Sequence, residues 1–94
     1  MKVTVQFEAQ LRQVAAINEL QVELPDRDSL QSALQCVCDQ LGESLHERLL
    51  TADGQVRPSV MVFVNDRPVV SSVSEPHQLI DGDVVLLLPP ISGG

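Results

Sequence analysis

The last eleven residues, Val84-Val85-Leu86-Leu87-Leu88-Pro89-Pro90-Ile91-Ser92-Gly93-Gly94, take an apolar strand into two prolines and end it on a glycine pair. Proline has no amide hydrogen and a fixed φ, so Pro89 and Pro90 cannot extend a ladder and hold the segment extended and solvated. Gly93 and Gly94 carry no Cβ, so they can thread a channel too narrow for other residues, with the α-carboxylate as the reactive group at the tip. Chain ends are commonly small and functionally empty, and a terminal glycine pair arises by chance in roughly 0.5% of chains. The spacing is what points to function. With no polar linker between strand and prolines, the Gly94 carboxylate stands at a set reach from the body of the protein.

The other reactive side chains do not form a centre. Cys36 and Cys38 are two apart, which puts them on different sides of a helix and prevents a relaxed disulfide within it. No basic neighbour in sequence lowers either thiol pKa, so a small core residue at Cys38 and an outward one at Cys36 are expected. His46 and His77 have no second histidine or cysteine at a ligand interval, so no metal site is expected. There is no nucleophile with an adjacent base and no phosphate-binding glycine loop. A chain without catalytic groups but with an offset carboxylate reads as a substrate for enzymes, not as an enzyme.

Composition narrows the partners. Thirteen acidic and six basic residues give a formal charge of −7, which repels nucleic acid and anionic lipid and favours a cationic protein surface. The aromatic residues are Phe7 and Phe63, so there are no stacking platforms for single strands and the core must be aliphatic. No apolar run approaches the ~20 residues of a membrane helix, and the alternating start Met1-Lys2-Val3-Thr4 reads as a strand and not as a signal peptide. A cytoplasmic protein with no bound cofactor is the expectation. Its 94 residues suit one domain, with the globular part at 1–88 and an extended tail at 89–94.

The elements that must position the tail follow from periodicity. Val3, Val5 and Phe7 alternate with polar residues, and so do Leu20, Val22 and Leu24, which predicts two strands paired antiparallel. The link at 9–18 is a longer loop or a helical turn. Asp28 stands three residues before Gln31 in a capping-box arrangement. Leu30, Ala33, Leu34, Val37 and Leu41 then fall on one helical stripe, Gly42 stops the helix, and Glu43 to Leu50 form a second short helix with Leu45 and Leu49 inward. Thr51 to Ser59 is a polar loop. Val60 to Val64 is apolar throughout, which fits a strand covered on both sides or one with an additional packing surface. Asn65-Asp66 turns it into Arg67 to Val70, whose proline suits an edge, and Asp81-Gly82-Asp83 turns into a last strand, Val84 to Leu88. The most apolar strand belongs at the centre, parallel to the first. The result is an α+β domain: a ubiquitin-like β-grasp, a mixed five-stranded sheet with one main helix packed on one face.

On these residues the chain resembles the ubiquitin-like sulfur carriers, above all the small subunit of molybdopterin synthase. The specific part is Asp81 to Gly94, with its turn, apolar strand, paired prolines and terminal Gly-Gly; Asp28-Ser29-Leu30 and Val62-Phe63-Val64-Asn65 are similar to the helix start and middle hairpin of that family. The resemblance implies a carrier cycle. An E1-like adenylating enzyme consumes ATP to join the Gly94 carboxylate to AMP, because a carboxylate repels nucleophiles and has no leaving group until activated. A persulfide on a sulfur donor protein displaces AMP and leaves a thiocarboxylate. The tail, Pro89, Pro90, Ile91, Ser92 and Gly93, then enters the large subunit of molybdopterin synthase, which supplies the catalytic groups, and sulfur passes to a pterin precursor. Family members dock through the sheet face near the last strand, which implicates Phe7, Phe63 and the outward residues among Val85, Leu87 and Leu88, with Phe63, Leu87 and Leu88 foremost; each suits a core equally, Phe7 above all. The longer middle, 51–59, and the Gly-Gly end also occur in carriers for cysteine synthesis, and paired prolines favour the molybdopterin branch over the thiazole branch. The same activation chemistry can end in an isopeptide with lysines of other proteins.

Overall fold

The computed structural model describes residues 1–71 and 74–89. The elements run β1 (Lys2–Phe7), α1 (Ala9–Ala15), β2 (Glu19–Glu23), α2 (Leu30–Leu41), α3 (Glu43–Leu49), β3 (Met61–Val64), β4 (Arg67–Pro68) and β5 (Val84–Leu88). The five strands form one sheet in the order β2-β1-β5-β3-β4. β1 pairs antiparallel with β2, with Val3 opposite Val22 and Val5 opposite Leu20. β5 lies in the middle, parallel to β1 through Val5–Val85 and Phe7–Leu87 and antiparallel to β3 through Val62–Leu87 and Phe63–Leu86. The expected β-grasp is the observed fold.

Helix α2 lies across one face of this sheet and buries Leu30, Ala33, Leu34, Val37 and Cys38, while Leu41, last in the stripe, is half-buried. From the sheet, Val3, Val5, Phe7, Val22, Val62, Val64, Val85 and Leu87 meet it, and Leu45 and Leu49 of α3 close the end as their spacing predicts. At about 25 cal/mol per Å² of apolar surface, each fully buried valine or leucine contributes about 1.5–3 kcal/mol, which an aliphatic core must collect from many residues because large aromatics are scarce. Cys38 sits in this core as expected. Cys36 is half-buried at its margin, not fully outward, and its sulfur accepts the Gln40 amide at 3.4 Å.

One local expectation is narrowed to one of its alternatives and one is revised. The 9–18 link is a short helix: Leu11 and Ala15 are one turn apart and both buried, and Ala16, at φ 62, ends it by donating its amide to the Arg12 carbonyl. The α2 cap is Ser29, not Asp28. Ser29 Oγ accepts the Ser32 amide at 3.2 Å, whereas Asp28 Oδ1 accepts the amide of Ser29 itself at 2.8 Å. Backbone bonds of Leu30 to His77 and of Leu79 to Asp28 hold this segment extended and delay the helix by one residue. Gln31 is thereby turned away from a capping box, and its Oε1 accepts from Ser71 Oγ at 2.7 Å.

A polar clamp sets where β5 begins. Asn65 and Asp66, at φ 51 and 70, occupy the two left-handed positions of a tight hairpin turn between β3 and β4. Asn65 Nδ2 donates to Asp83 Oδ1 at 2.8 Å, and Asn65 Oδ1 accepts the Val84 amide at 2.9 Å. Asp83, only 5% exposed, also accepts the Ile80 amide through Oδ2 at 2.9 Å. The turn after β3 and the turn before β5 are thus one unit, and the strand that carries the tail has a fixed register.

Candidate functional site

Of the residues assigned to the tail, Pro90, Ile91, Ser92, Gly93 and Gly94 lie outside the described residues; Pro89 is described and half-buried. Its position is set from both sides. Leu87 accepts the Glu8 amide through its carbonyl at 3.2 Å, and Leu88 is opposite Met61 of β3. The chain therefore leaves the middle of the sheet, at the end where β1 finishes. Around Pro89 a shallow depression is lined by Gln10, Leu11, Glu47, Arg48, Arg57 and Ser59. Arg57 is held there by donating Nε to the Glu47 carbonyl. Two guanidiniums thus stand at the root of the tail in an otherwise acidic protein.

The sheet face away from α2 is uncovered. Alternation along β5 puts Val84, Leu86 and Leu88 on it, all half-buried, and the register brings Phe63 opposite Leu86 and Met61 opposite Leu88. Met61 is 46% exposed, Phe63 is half-buried and Pro68, opposite Phe63, is exposed. β1 and β2 continue the face with Thr4, Gln6, Glu19, Gln21 and Glu23. One half is apolar and the other polar to acidic, and the apolar half borders the tail root. Of the alternatives for β3, one packed face and one additional surface is what occurs.

Phe63 and Leu88 lie half-buried on this face, and Phe7 is core. Leu87 does not belong to it. It is fully buried, because β5 is parallel to β1 with Phe7 beside Leu87, and both point under α2. Leu86 takes the place assigned to Leu87, and Met61, Pro68 and Val84 join it without having been singled out. The signal for Leu86 was parity: once Phe7 is core and β5 its parallel neighbour, even-numbered residues of β5 face outward.

Other groups are not arranged for catalysis at this place. The Cys38 thiol is pushed up to about 11, chiefly by burial and secondarily by the Asp39 charge, so it stays protonated. Among the described residues no group of three or more His, Cys, Asp or Glu side chains could hold a metal ion, and no helix is long and apolar enough to cross a membrane. Among the same residues, a wider surface depression lies at the opposite end of β5, between Arg67, Val70, His77 and Ile80.

The ThiS family model matches residues 5–94. The chain belongs to the ThiS family. This ThiS-family chain is 31% identical over 94 residues to small archaeal modifier protein 3 of Haloferax volcanii, with the whole of both chains covered. It is 27% identical over 84 residues to a putative sulfur carrier protein of Archaeoglobus fulgidus, covering 89% of this chain and 96% of the relative. Among solved structures, the putative molybdopterin converting factor, subunit 1, of Pyrococcus furiosus superposes with a TM-score of 0.75 at 29% identity, over 97% of this chain and 99% of that one. The ThiS-family chain is therefore a ubiquitin-like carrier or modifier by both sequence and fold.

Proposed function

We propose that the chain is a sulfur carrier and acts as the small subunit of molybdopterin synthase. A partner adenylating enzyme converts the Gly94 carboxylate and ATP to an acyl-adenylate and pyrophosphate. The outer sulfur of a persulfide on a sulfur donor protein displaces AMP to give an acyl disulfide. A second thiol of the donor attacks the donor's own sulfur in that bond and ends as a disulfide with it, and the cargo is released as a thiocarboxylate on Gly94. The synthase large subunit receives the tail and passes the sulfur to a pterin precursor. The observation that carries this reading is the geometry of the exit: β5 delivers Pro89 from the centre of the sheet, beside an uncovered apolar face formed by Met61, Phe63, Leu86 and Leu88. Such a face offers a partner a rigid apolar grip at a set distance from the tip. Similarity to a sulfur carrier and to a molybdopterin converting factor subunit supports it.

Full-length similarity to a small archaeal modifier protein favours a second outcome of the same activation, transfer of Gly94 to lysines of other proteins. Intact-mass measurement on protein isolated from its native cell separates the two. Exchange of one oxygen for sulfur at Gly94 is expected for the carrier, and conjugates of higher mass for the modifier. Deleting Gly94, or adding one residue after it, is expected to abolish function with the fold unchanged. A variant without Gly94 that still sustained molybdenum cofactor synthesis would overturn the carrier reading.

A further inference from the structure

The end of β5 away from the tail carries an exposed feature that the carrier cycle does not use. Val70 and Ile80, 96% and 65% exposed, are the two most exposed large hydrophobic side chains among the described residues. Both line one open groove of about 810 Å³, with Arg67 and Pro68 on one wall and His77 and Gln78 on the other. Single exposed apolar residues are ordinary, but two of them gathered at one concave place mark a contact surface. Both walls are set before anything binds. On the first, Val69 donates its amide to the Val62 carbonyl at 2.9 Å. The second is held against the start of α2: the His77 carbonyl accepts the Leu30 amide and the Asp28 carbonyl accepts the Leu79 amide, both at 2.9 Å, and His77 gives its own amide to Ser71 Oγ at 2.9 Å. Asp83 ties the walls together, accepting Asn65 Nδ2 from one and the Ile80 amide from the other. A groove whose sides need no ordering on contact loses less entropy when it is filled.

Charge selects what fills it. Arg67 is exposed and makes no ion pair among the described residues, whereas Arg12 sits on Glu8 at 2.8 Å and Lys2 reaches Glu23 at 4.0 Å. The carboxylates nearby are engaged elsewhere or stand aside: Asp83 has each oxygen on a donor, Asp81 accepts the Lys2 amide, and exposed Asp66 lies in the turn outside the lining. An open guanidinium fork takes a carboxylate through two parallel hydrogen bonds. The groove is too open to enclose a small molecule, and its apolar residues project far enough to meet side chains of a protein segment. A second copy of this chain, at a formal charge of −7, is repelled.

We infer that this groove docks an extended segment of another protein that carries both apolar and acidic residues. Apolar side chains of the segment cover Val70 and Ile80, and one of its carboxylates pairs with Arg67. The groove lies where β5 begins and Pro89 lies where β5 ends, so the segment binds without obstructing the tail root. One copy can therefore be held at one end while its other end is in use. The inference does not depend on what Gly94 carries.

The test titrates the isotope-labelled full chain with an end-blocked peptide of alternating leucine and glutamate, and with its leucine and lysine counterpart as control. Because the protein is acidic, its overall field favours the lysine peptide, so a preference for glutamate reports the groove. Expected is saturable binding of the glutamate peptide, with amide shifts centred on Arg67, Val70, His77 and Ile80 and none at Met61 or Leu88. Arg67→Glu should weaken that binding tenfold or more and reverse the preference between the peptides, while Val70→Ser and Ile80→Ser, at exposed positions, should each weaken it about threefold or more. Circular dichroism checks the fold of each variant. No saturable binding of the glutamate peptide, shifts centred on Met61 and Leu88, or equal affinity in Arg67→Glu would each overturn the inference. The same shifts arising in the unaltered chain alone as its concentration is raised would also overturn it, by making a second copy the occupant.

Discussion

Leu86 and Leu87 are adjacent, identical in type and on the same strand, yet they belong to different parts of the molecule. Leu87 is sealed beneath α2, and Leu86 lies half-buried on the uncovered face between Gln6 and Phe63. Side-chain chemistry therefore cannot say what either residue does; only the direction of its Cβ can. The covered face is where burial provides stability, and the uncovered face is where the same apolar area remains available to a partner. The largest expected effect tests this directly. Leu87→Ala should destabilise the fold by about 2–5 kcal/mol in urea denaturation, because a closed core cannot refill the cavity, whereas Leu86→Ala should cost less than about 1.5 kcal/mol. Equal losses would mean that both faces are packed and would remove the docking surface.

The difference between the faces depends on register, since a slip of one residue along β5 would turn Leu86 and Leu88 inward and Leu87 out. The clamp of Asn65 on Asp83 and Val84 holds that register. Asn65→Gly keeps a residue that tolerates the left-handed backbone but removes both side-chain bonds, leaving Asp83 one partner short at 5% exposure. A loss of about 1–3 kcal/mol is expected, with faster hydrogen exchange at the Val84 amide. Wild-type stability in Asn65→Gly would assign the register to strand packing alone.

How far the sequence can be read follows from the same contrast. β1 and β2 alternate apolar with polar residues, so their inward faces are legible, and the stripe from Leu30 to Val37 defines the covering helix. β3 and β5 are apolar at successive positions, and a run of three leucines has no readable parity. The misplacement of Leu87 on the docking face comes from there. Met61 and Leu86 escape notice because their exposure depends on neighbours far away in sequence. Gln31 falls outside a capping box for a related reason: residues 77–79 hold the segment before α2 extended and move the cap to Ser29. The expectation of a tail rests on composition and spacing, which need no tertiary information, and beyond Pro89 it lies outside the described residues.

A smaller stability effect, with a larger functional one, is expected on the uncovered face. Phe63→Ser and Leu86→Ser should each change the unfolding free energy by less than about 1.5 kcal/mol, while lowering affinity for the adenylating enzyme proposed above tenfold or more, about 1.4 kcal/mol. On the other half of the face the charged groups are Lys2, Glu19 and Glu23, with Lys2 meeting Glu23 at 4.0 Å, and charge reversal of the glutamates should alter the salt dependence of association more than its strength. Binding unchanged in Phe63→Ser and Leu86→Ser together would move the partner to another surface.

The smallest effect is silent at neutral pH and probes how dry the covered face is. Cys38 has its thiol raised from 9.0 to about 11, first by burial and then by Asp39. Below pH 9 the thiol is protonated in both folded and unfolded chains, so it adds no pH dependence. Between about 9 and 11 the unfolded chain releases the proton and the folded one retains it; the unfolded state then binds fewer protons, and stability falls as pH rises. Thermal unfolding of the unaltered chain should therefore show a decline in Tm across this window that Cys38→Ala lacks, beyond the constant loss from the smaller side chain. An identical decline in both proteins would mean that Cys38 ionises as readily folded as unfolded, which requires water at a position the helix and sheet are meant to exclude it from.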